Sequence, residues 1–398
     1  MHLSARARFV VLIVTGVAIR VLLIATSIGT NDVLNWMTFG RLVDNAGIGP
    51  SYGRIAEVNH PPLSLLIVLG LEKIRLATSI EVGDLLRLLQ VLFDLAAVAA
   101  LLDIGRSIAH EMPQRLALFY FLSPVSIFIT GFHGNTDPAM VALLLISVAL
   151  LIRTPSRPFF AGVVFALAVG IKIVPLLLLP LFLLLRKDRR FVAGAAAGGA
   201  AIFLPFLPTG GMTMLRQIFG YNTQGGNSGL AYFLATIGDA LPAAQPFLLR
   251  MAIGWIAIAK YVIVAAVIVY ALALARRHER SHAALLAGTG TTLLIILALG
   301  PGGGVQYLLW PVAFLPFALG RVERLILVAS YSAAQFTVYT IWSDGFPWWY
   351  ADSTIRRPWI DVSLLGDAVF LLTFAAAARG VWRSLRPATS SPSSARSA

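Results

Sequence analysis

Residues 9–28 read FVVLIVTGVAIRVLLIATSI, a stretch in which Arg20 is the single charged residue. A helix of that length rises about 30 Å, the thickness of the hydrocarbon core of a bilayer. The stretch follows His2, Arg6 and Arg8, is long for a secretory leader and has no small-residue cleavage site. It reads as a retained first membrane span.

Working outward, the pattern recurs. The chain has 398 residues, 58% hydrophobic and 12% charged, with a mean hydropathy of +0.82; soluble domains carry about 25% charged residues. Apolar runs at 9–28, 85–102, 116–132, 138–152, 159–171, 173–185, 191–207, 247–275, 282–299, 305–319, 322–342 and 361–382 predict an all-α polytopic bundle of about 12 spans. Lipid offers backbone groups no hydrogen-bond partners, so helices are the economical way across. The formal net charge of +13 comes from 31 basic and 18 acidic residues. The basic residues fall in short clusters between apolar runs, the signature of positive-inside anchoring and not of nucleic-acid binding. With no cysteine, disulfides, thiolate metal sites and cysteine nucleophiles are excluded.

Charge also sets topology. The apolar stretch 62–71 is followed by Glu72, Lys73 and Arg75, and it is too short to span comfortably, so it is expected as an interfacial or re-entrant helix within a long outer loop. Arg106/Arg115, Arg153/Arg157, the RKDRR cluster at 186–190, Arg276/Arg277/Arg280 and Arg321/Arg324 then all lie on the cytoplasmic side with both termini. The run 159–185 is long for one helix and short for two; splitting it at Lys172 keeps both flanking basic clusters inside. Outer segments 29–84, 208–246 and 343–360 are large enough to build a site, and Gly225-Gly226-Asn227-Ser228-Gly229 has the composition of a flexible lid. Residues 1–386 read as one transmembrane domain, and 387–398 (PATSSPSSARSA) as a disordered cytoplasmic tail. Gly194-Ala-Ala-Ala-Gly198 is a small-residue helix-packing pattern. No inverted repeat is evident.

Polar residues near the outer face carry the chemistry, because ionisable groups at a membrane helix are costly. Asn31-Asp32 follows the first span at once; the carboxylate there is a candidate proton acceptor or a plain helix-terminal residue. Asn59-His60-Pro61-Pro62-Leu63 is a turn that holds His60 against the membrane. In Gly131-Phe132-His133-Gly134-Asn135-Thr136-Asp137-Pro138, Asp137 could cap the following helix, while His133 and Asn135 have no such structural duty. Lys172, in Gly170-Ile-Lys-Ile-Val-Pro175, costs roughly 2.5–3.5 kcal/mol at mid-membrane without compensation, which snorkelling or an anionic phosphate would supply. Arg20 is expected to form an internal polar pair. Pro301-Gly-Gly-Gly-Val-Gln306-Tyr307 opens another span, with no Walker-type lysine behind its glycines, and Arg356-Arg357 lies in the last outer loop. G-x-S-x-G, H-E-x-x-H, Cys/His metal spacing and D-x-D are absent.

In order, Asp32, His-Pro-Pro-Leu (60–63), His-Gly-Asn-Thr-Asp-Pro (133–138), Gly-Ile-Lys-Ile-Val-Pro (170–175) and Gln-Tyr-Leu-Leu-Trp-Pro (306–311) resemble the GT-C superfamily of membrane glycosyltransferases, in particular bacterial mannosyltransferase-like members that use polyprenyl-phosphate sugars. The resemblance implies an extracytoplasmic site at the plasma membrane, a lipid-linked donor, a glycolipid or polysaccharide acceptor and inversion at the anomeric carbon. It implies Asp32 as general base, with Asn31, His60, His133, Asn135, Asp137, Gln306 and Tyr307 as substrate-binding residues. Lys172, Arg356 and Arg357 are expected near the donor phosphate. Some relatives have a pair of acidic residues where this chain has Asp32 alone, so no cofactor is called for and a divalent metal has no support in the sequence. A single displacement needs a base and a cation near the leaving phosphate, which departs as a stable anion without a general acid; glycosidases instead need two carboxylates. The rival reading is a secondary transporter or a flippase for lipid-linked sugars. Transporters place broken helices and ions at the midplane of repeated halves, whereas here the polar clusters gather at one face.

Overall fold

A computed structural model describes residues 4–220, 228–278, 281–341 and 363–386. Ser4 accepts the N–H of Ala7 and caps α1 (Ala5–Thr26), whose apolar side chains point mostly outward. The first long loop is filled by α2 (Asn31–Ala46), the short α3 (Ile48–Ser51) and α4 (Pro62–Thr78). These pack on each other through Trp36, Phe39, Val43, Tyr52, Leu65 and Val68. α4 runs for 17 residues, well past the stretch 62–71, because its charges find partners. Glu72 accepts from Arg75 Nε and Nη2 at 2.9 and 2.6 Å, and Lys73 pairs with Asp44 of α2.

α5 (Val82–Ser107) leads to α6 (Pro113–Phe121) and α7 (Pro124–Phe128), which with the π-turn Ile129–His133 form a pair bent by 48°. α8 (Asp137–Ile152) is apolar all round and buried nearly throughout, as a helix with no polar face must be. α9 (Pro158–Ile171) ends where Lys172 adopts extended backbone (φ −143°, ψ 140°), and a 3-10 turn (Val174–Leu178) starts α10 (Leu179–Arg186). The Arg157 N–H bonds Leu150 O, and Arg186 Nη2 bonds Leu151 O. Both ends of the α9–α10 hairpin thus return to the end of α8, with Lys172 at its apex. α11 (Arg189–Phe203) lies against α9, and a Cβ at Gly194 would come within 1.9 Å of Phe159 O, so the small-residue pattern is a packing device.

The chain continues through α12 (Leu207–Gly220), α13 (Leu230–Ala240), the 33-residue α14 (Gln245–Arg277) and α15 (His282–Leu299). Where the run 305–319 was expected as a span, prolines break it into a 3-10 turn (Val305–Leu308), α16 (Leu309–Val312) and α17 (Leu315–Ala318). α18 (Arg321–Ile341) and α19 (Ser363–Ser384) close the bundle. Among the described residues six helices are long and apolar enough to cross a membrane, or seven if the bent pair is one span. The runs 138–152, 159–171 and 173–185 form the shorter apolar helices α8, α9 and α10. Arg356, Arg357, the rest of 343–360, Gly225-Gly226-Asn227 and the tail 387–398 lie outside the described residues.

Inside the bundle Asp94 of α5 accepts from Arg20 Nε (3.0 Å), Tyr120 (2.6 Å), Ser126 (3.1 Å) and Thr130 (2.7 Å). Arg20 also donates to Gly16 O and Phe121 O, so it is the internal polar pair expected. Asp94→Ala strands a fully buried guanidinium. We expect it to cost about 3–5 kcal/mol, read as a lowered unfolding midpoint of the detergent-solubilised protein; an unchanged midpoint would show that the network is not structural.

Candidate active site

Six separate segments of the chain meet at one cavity of about 430 Å³. Asp32 stands in the first turn of α2, where the Thr30 side chain accepts its N–H at 3.3 Å. Thr30 Oγ1 also donates to the His133 carbonyl at 2.8 Å, so the start of α2 is pinned to the π-turn that carries His133. π-turns of this kind recur at functional sites. Gly134 makes the junction possible. It has φ +74°, and a Cβ there would lie 2.3 Å from Val33 Cγ2; only glycine permits both.

His133 Nε2 and Asn135 Nδ2 converge on the same oxygen, Asp32 Oδ2, at 2.9 and 2.5 Å. Asp32 lines the cavity and keeps 27% of its side chain exposed. Its other oxygen, Oδ1, accepts from no described side chain. Asp32 is outside the membrane-spanning segments. Burial pushes its pKa up, but the charge and hydrogen bond of His133, then Lys172 and Asn135, outweigh burial and bring it down to about 2. Behind His133, the Tyr339 hydroxyl of α18 lies 3.0 Å from Nδ1. An ionised carboxylate can only accept, so Nε2 carries a proton toward Asp32, while the Tyr339 hydroxyl meets the other ring nitrogen.

Lys172 lies on another wall. Nζ donates to Asp137 Oδ1 at 2.6 Å and sits 5.0 and 5.7 Å from the ring centroids of Tyr307 and Trp310. Trp310 Nε1 donates to the same Asp137 oxygen at 2.5 Å, while Oδ2 is buried without a partner. Asp137 is fully buried behind the cavity wall, where it orients the lysine. Gln306 and Tyr307 line the cavity on the Trp310 side. His60 lines it too, its ring 4.5 Å from that of Trp36. Burial and then Lys172 lower the His60 pKa to about 3 despite the opposing pull of Asp32. His60 is therefore a neutral hydrogen-bonding group at working pH. Asn31 does not line the cavity, and its Oδ1 is buried without a partner.

α5 supports this arrangement from behind. Arg87 donates to Ser27 O (2.9 Å), Ser27 Oγ (3.0 Å), Gly131 O (3.3 Å) and Asp84 (2.6 Å), and Gln90 accepts the Ala139 N–H at 3.0 Å. Arg87, Gln90 and Asp94 recur at helical spacing in an otherwise apolar span, and that stripe was the signal for them. Trp310 follows Gln306 and Tyr307 at the same spacing. Among the described residues no group of three His, Asp or Glu side chains is placed to hold a metal ion.

A helical bundle whose long apolar helices suit a bilayer, enclosing a polar cavity lined by Asp32, Glu57 and Lys172, fits an integral membrane enzyme. Residues 59–299, more than half of the chain, match glycosyltransferase family 87, a GT-C-type family of membrane glycosyltransferases, and the chain belongs to it. No match was found among curated proteins. The matched region holds His60, His133, Asn135, Asp137 and Lys172; Asp32 lies before it, and Gln306, Tyr307 and Trp310 after it. Family membership supports sugar transfer between a donor and an acceptor over the transporter reading.

Proposed function

We propose that the chain is an inverting mannosyltransferase that takes its sugar from a polyprenyl-phosphate donor and passes it to a glycolipid or polysaccharide acceptor at the extracytoplasmic face of a bacterial plasma membrane. The observation that carries this reading is the placement of Asp32 and Lys172 on the walls of one cavity. Asp32 Oδ1 takes the proton of the acceptor hydroxyl as the new C–O bond forms at the anomeric carbon, on the face opposite the leaving group. Lys172, steadied by Asp137, faces the phosphate that departs with the bonding electron pair. A carboxylate near pKa 2 is a weak base, so proton transfer comes late, when the attacking oxygen is already acidified by bonding. Tyr307 lines the space for a pyranose, with Trp36 and Trp310 buried in the wall, and His60, Asn135 and Gln306 offer hydrogen bonds to its hydroxyls.

The test is transfer by the purified, reconstituted protein to membrane lipid and glycan extracts from radiolabelled polyprenyl-phosphate-mannose, with a nucleotide-linked mannose in parallel. Transfer from the lipid phosphate alone is expected; transfer from the nucleotide sugar alone would overturn the donor class. Tyr339→Phe keeps the ring packing but removes the bond to His133. We expect it to lower kcat roughly 5- to 20-fold, the worth of one such bond, with KM nearly unchanged; a rise in KM alone would assign Tyr339 to binding.

A further inference from the structure

The cavity of about 550 Å³ at the other end of the bundle is lined by arginines that the transfer reaction does not use. It lies between the last turn of α14, the first turns of α15 and the last turns of α19. The helix α15 separates it from the catalytic end, its 18 residues rising about 27 Å. Trp382 of α19 stands at its mouth with two guanidiniums on its ring, Arg379 at 4.1 Å and Arg386 at 3.2 Å from the centroid. Arg383 lines the same space. Three guanidiniums and one indole thus share the cavity lining, and Glu323 pairs with two of the three, Arg379 and Arg383.

Glu323 is already committed. It accepts from Arg379 Nε at 2.8 Å, from Arg383 Nη1 at 3.2 Å and from the Gly320 N–H at 2.5 Å. Arg379, Arg383 and Arg386 all line the cavity, and Arg379 and Arg383 keep 43% of their side chains exposed. The scaffold beneath them is fixed. His278 Nε2 meets Ser384 O at 3.0 Å, Arg277 Nη1 donates to Leu385 O at 2.5 Å, and the Tyr270 hydroxyl meets Ser384 Oγ at 2.9 Å. The tail beyond, PATSSPSSARSA, contains no Asp or Glu, so its side chains bring no carboxylate to the cluster.

We infer that this cavity binds the phosphate of an anionic phospholipid from the leaflet opposite the catalytic cavity. Like charges held together at a membrane surface call for an anion, guanidinium is the side chain suited to paired contacts with phosphate oxygens, and a tryptophan at headgroup level is the usual interfacial anchor. Basic pockets between membrane helices bind such headgroups. The open sides of α14 and α19 present Tyr261, Val264, Ile268, Leu371 and Phe374 outward, an apolar surface along which acyl chains can lie.

The experiment is native mass spectrometry of the full chain in detergent with phosphatidylglycerol, cardiolipin or phosphatidylcholine, alone and against inorganic phosphate. Retention of the two anionic lipids over phosphatidylcholine is expected, undisturbed by millimolar phosphate. Arg383→Gln/Arg386→Gln should weaken that retention roughly tenfold or more with mannosyl transfer unchanged. Arg106→Gln/Arg115→Gln removes the same charge elsewhere and should leave it intact, and Arg386→Lys gives a milder variant should the double one misfold. Equal retention of phosphatidylcholine, displacement by phosphate, or equal losses in the two double variants would each overturn the site.

Discussion

Asp32→Asn is expected to lower transfer by about 10²–10⁴-fold, the usual worth of a general base, with the protein folded and KM for the acceptor little changed. Asparagine keeps the size of the side chain and an oxygen for the Asn135 amide, so the start of α2 stays where Thr30 holds it. What it loses is the capacity to accept a proton at Oδ1. Steady-state rates of the reconstituted variant, with a unfolding midpoint matching wild type, check this. Wild-type rates in a folded variant would remove Asp32 from the mechanism.

The pH profile sharpens the same point. A group whose pKa is held down to about 2 is ionised throughout the neutral range, so kcat/KM should show no acid limb from Asp32 above about pH 4. His133 provides the leading opposition to burial at this carboxylate. His133→Gln removes that opposition and lets burial raise the pKa. The deprotonated form is the active one, so activity present above the pKa is lost as pH falls through it, and the acid limb should move up in the variant. A limb at the same pH in both proteins would mean that His133 does not tune Asp32.

Much of this was legible from residue order, for identifiable reasons. The break at Lys172 could be read because a lysine followed by Pro175 interrupts an apolar run, and both flanking basic clusters needed one side. The grouping of His133 and Asn135 with Asp32 rested on their shared outer face and on the resemblance; spacing does not show that a π-turn and Gly134 fold the two loops together. Tyr339 was missed, since it lies 206 residues from His133 and nothing in the sequence ties the buried polar positions of α18, Gln335 among them, to that loop. Hydropathy alone does not fix the number of spans, because a lipid-facing helix and the buried α8 are equally apolar. Only length separates the two.

Lys172→Gln should lower transfer about 10²–10³-fold, as loss of one donor to a developing anion does. Alone the variant is ambiguous, because it leaves the fully buried Asp137 carboxylate without its cation, a defect of about 3–5 kcal/mol. Lys172→Gln/Asp137→Asn removes both charges together and keeps an oxygen to accept from Trp310 Nε1. If Lys172 faces the departing phosphate, the double variant regains the wild-type unfolding midpoint and stays inactive. If Lys172 serves only to neutralise Asp137, the double variant regains both stability and transfer. Asp137→Asn alone completes the cycle. It frees the ammonium from its carboxylate, so binding of the donor should hold or tighten while the loosened lysine lowers kcat, a split that loss of packing would not give.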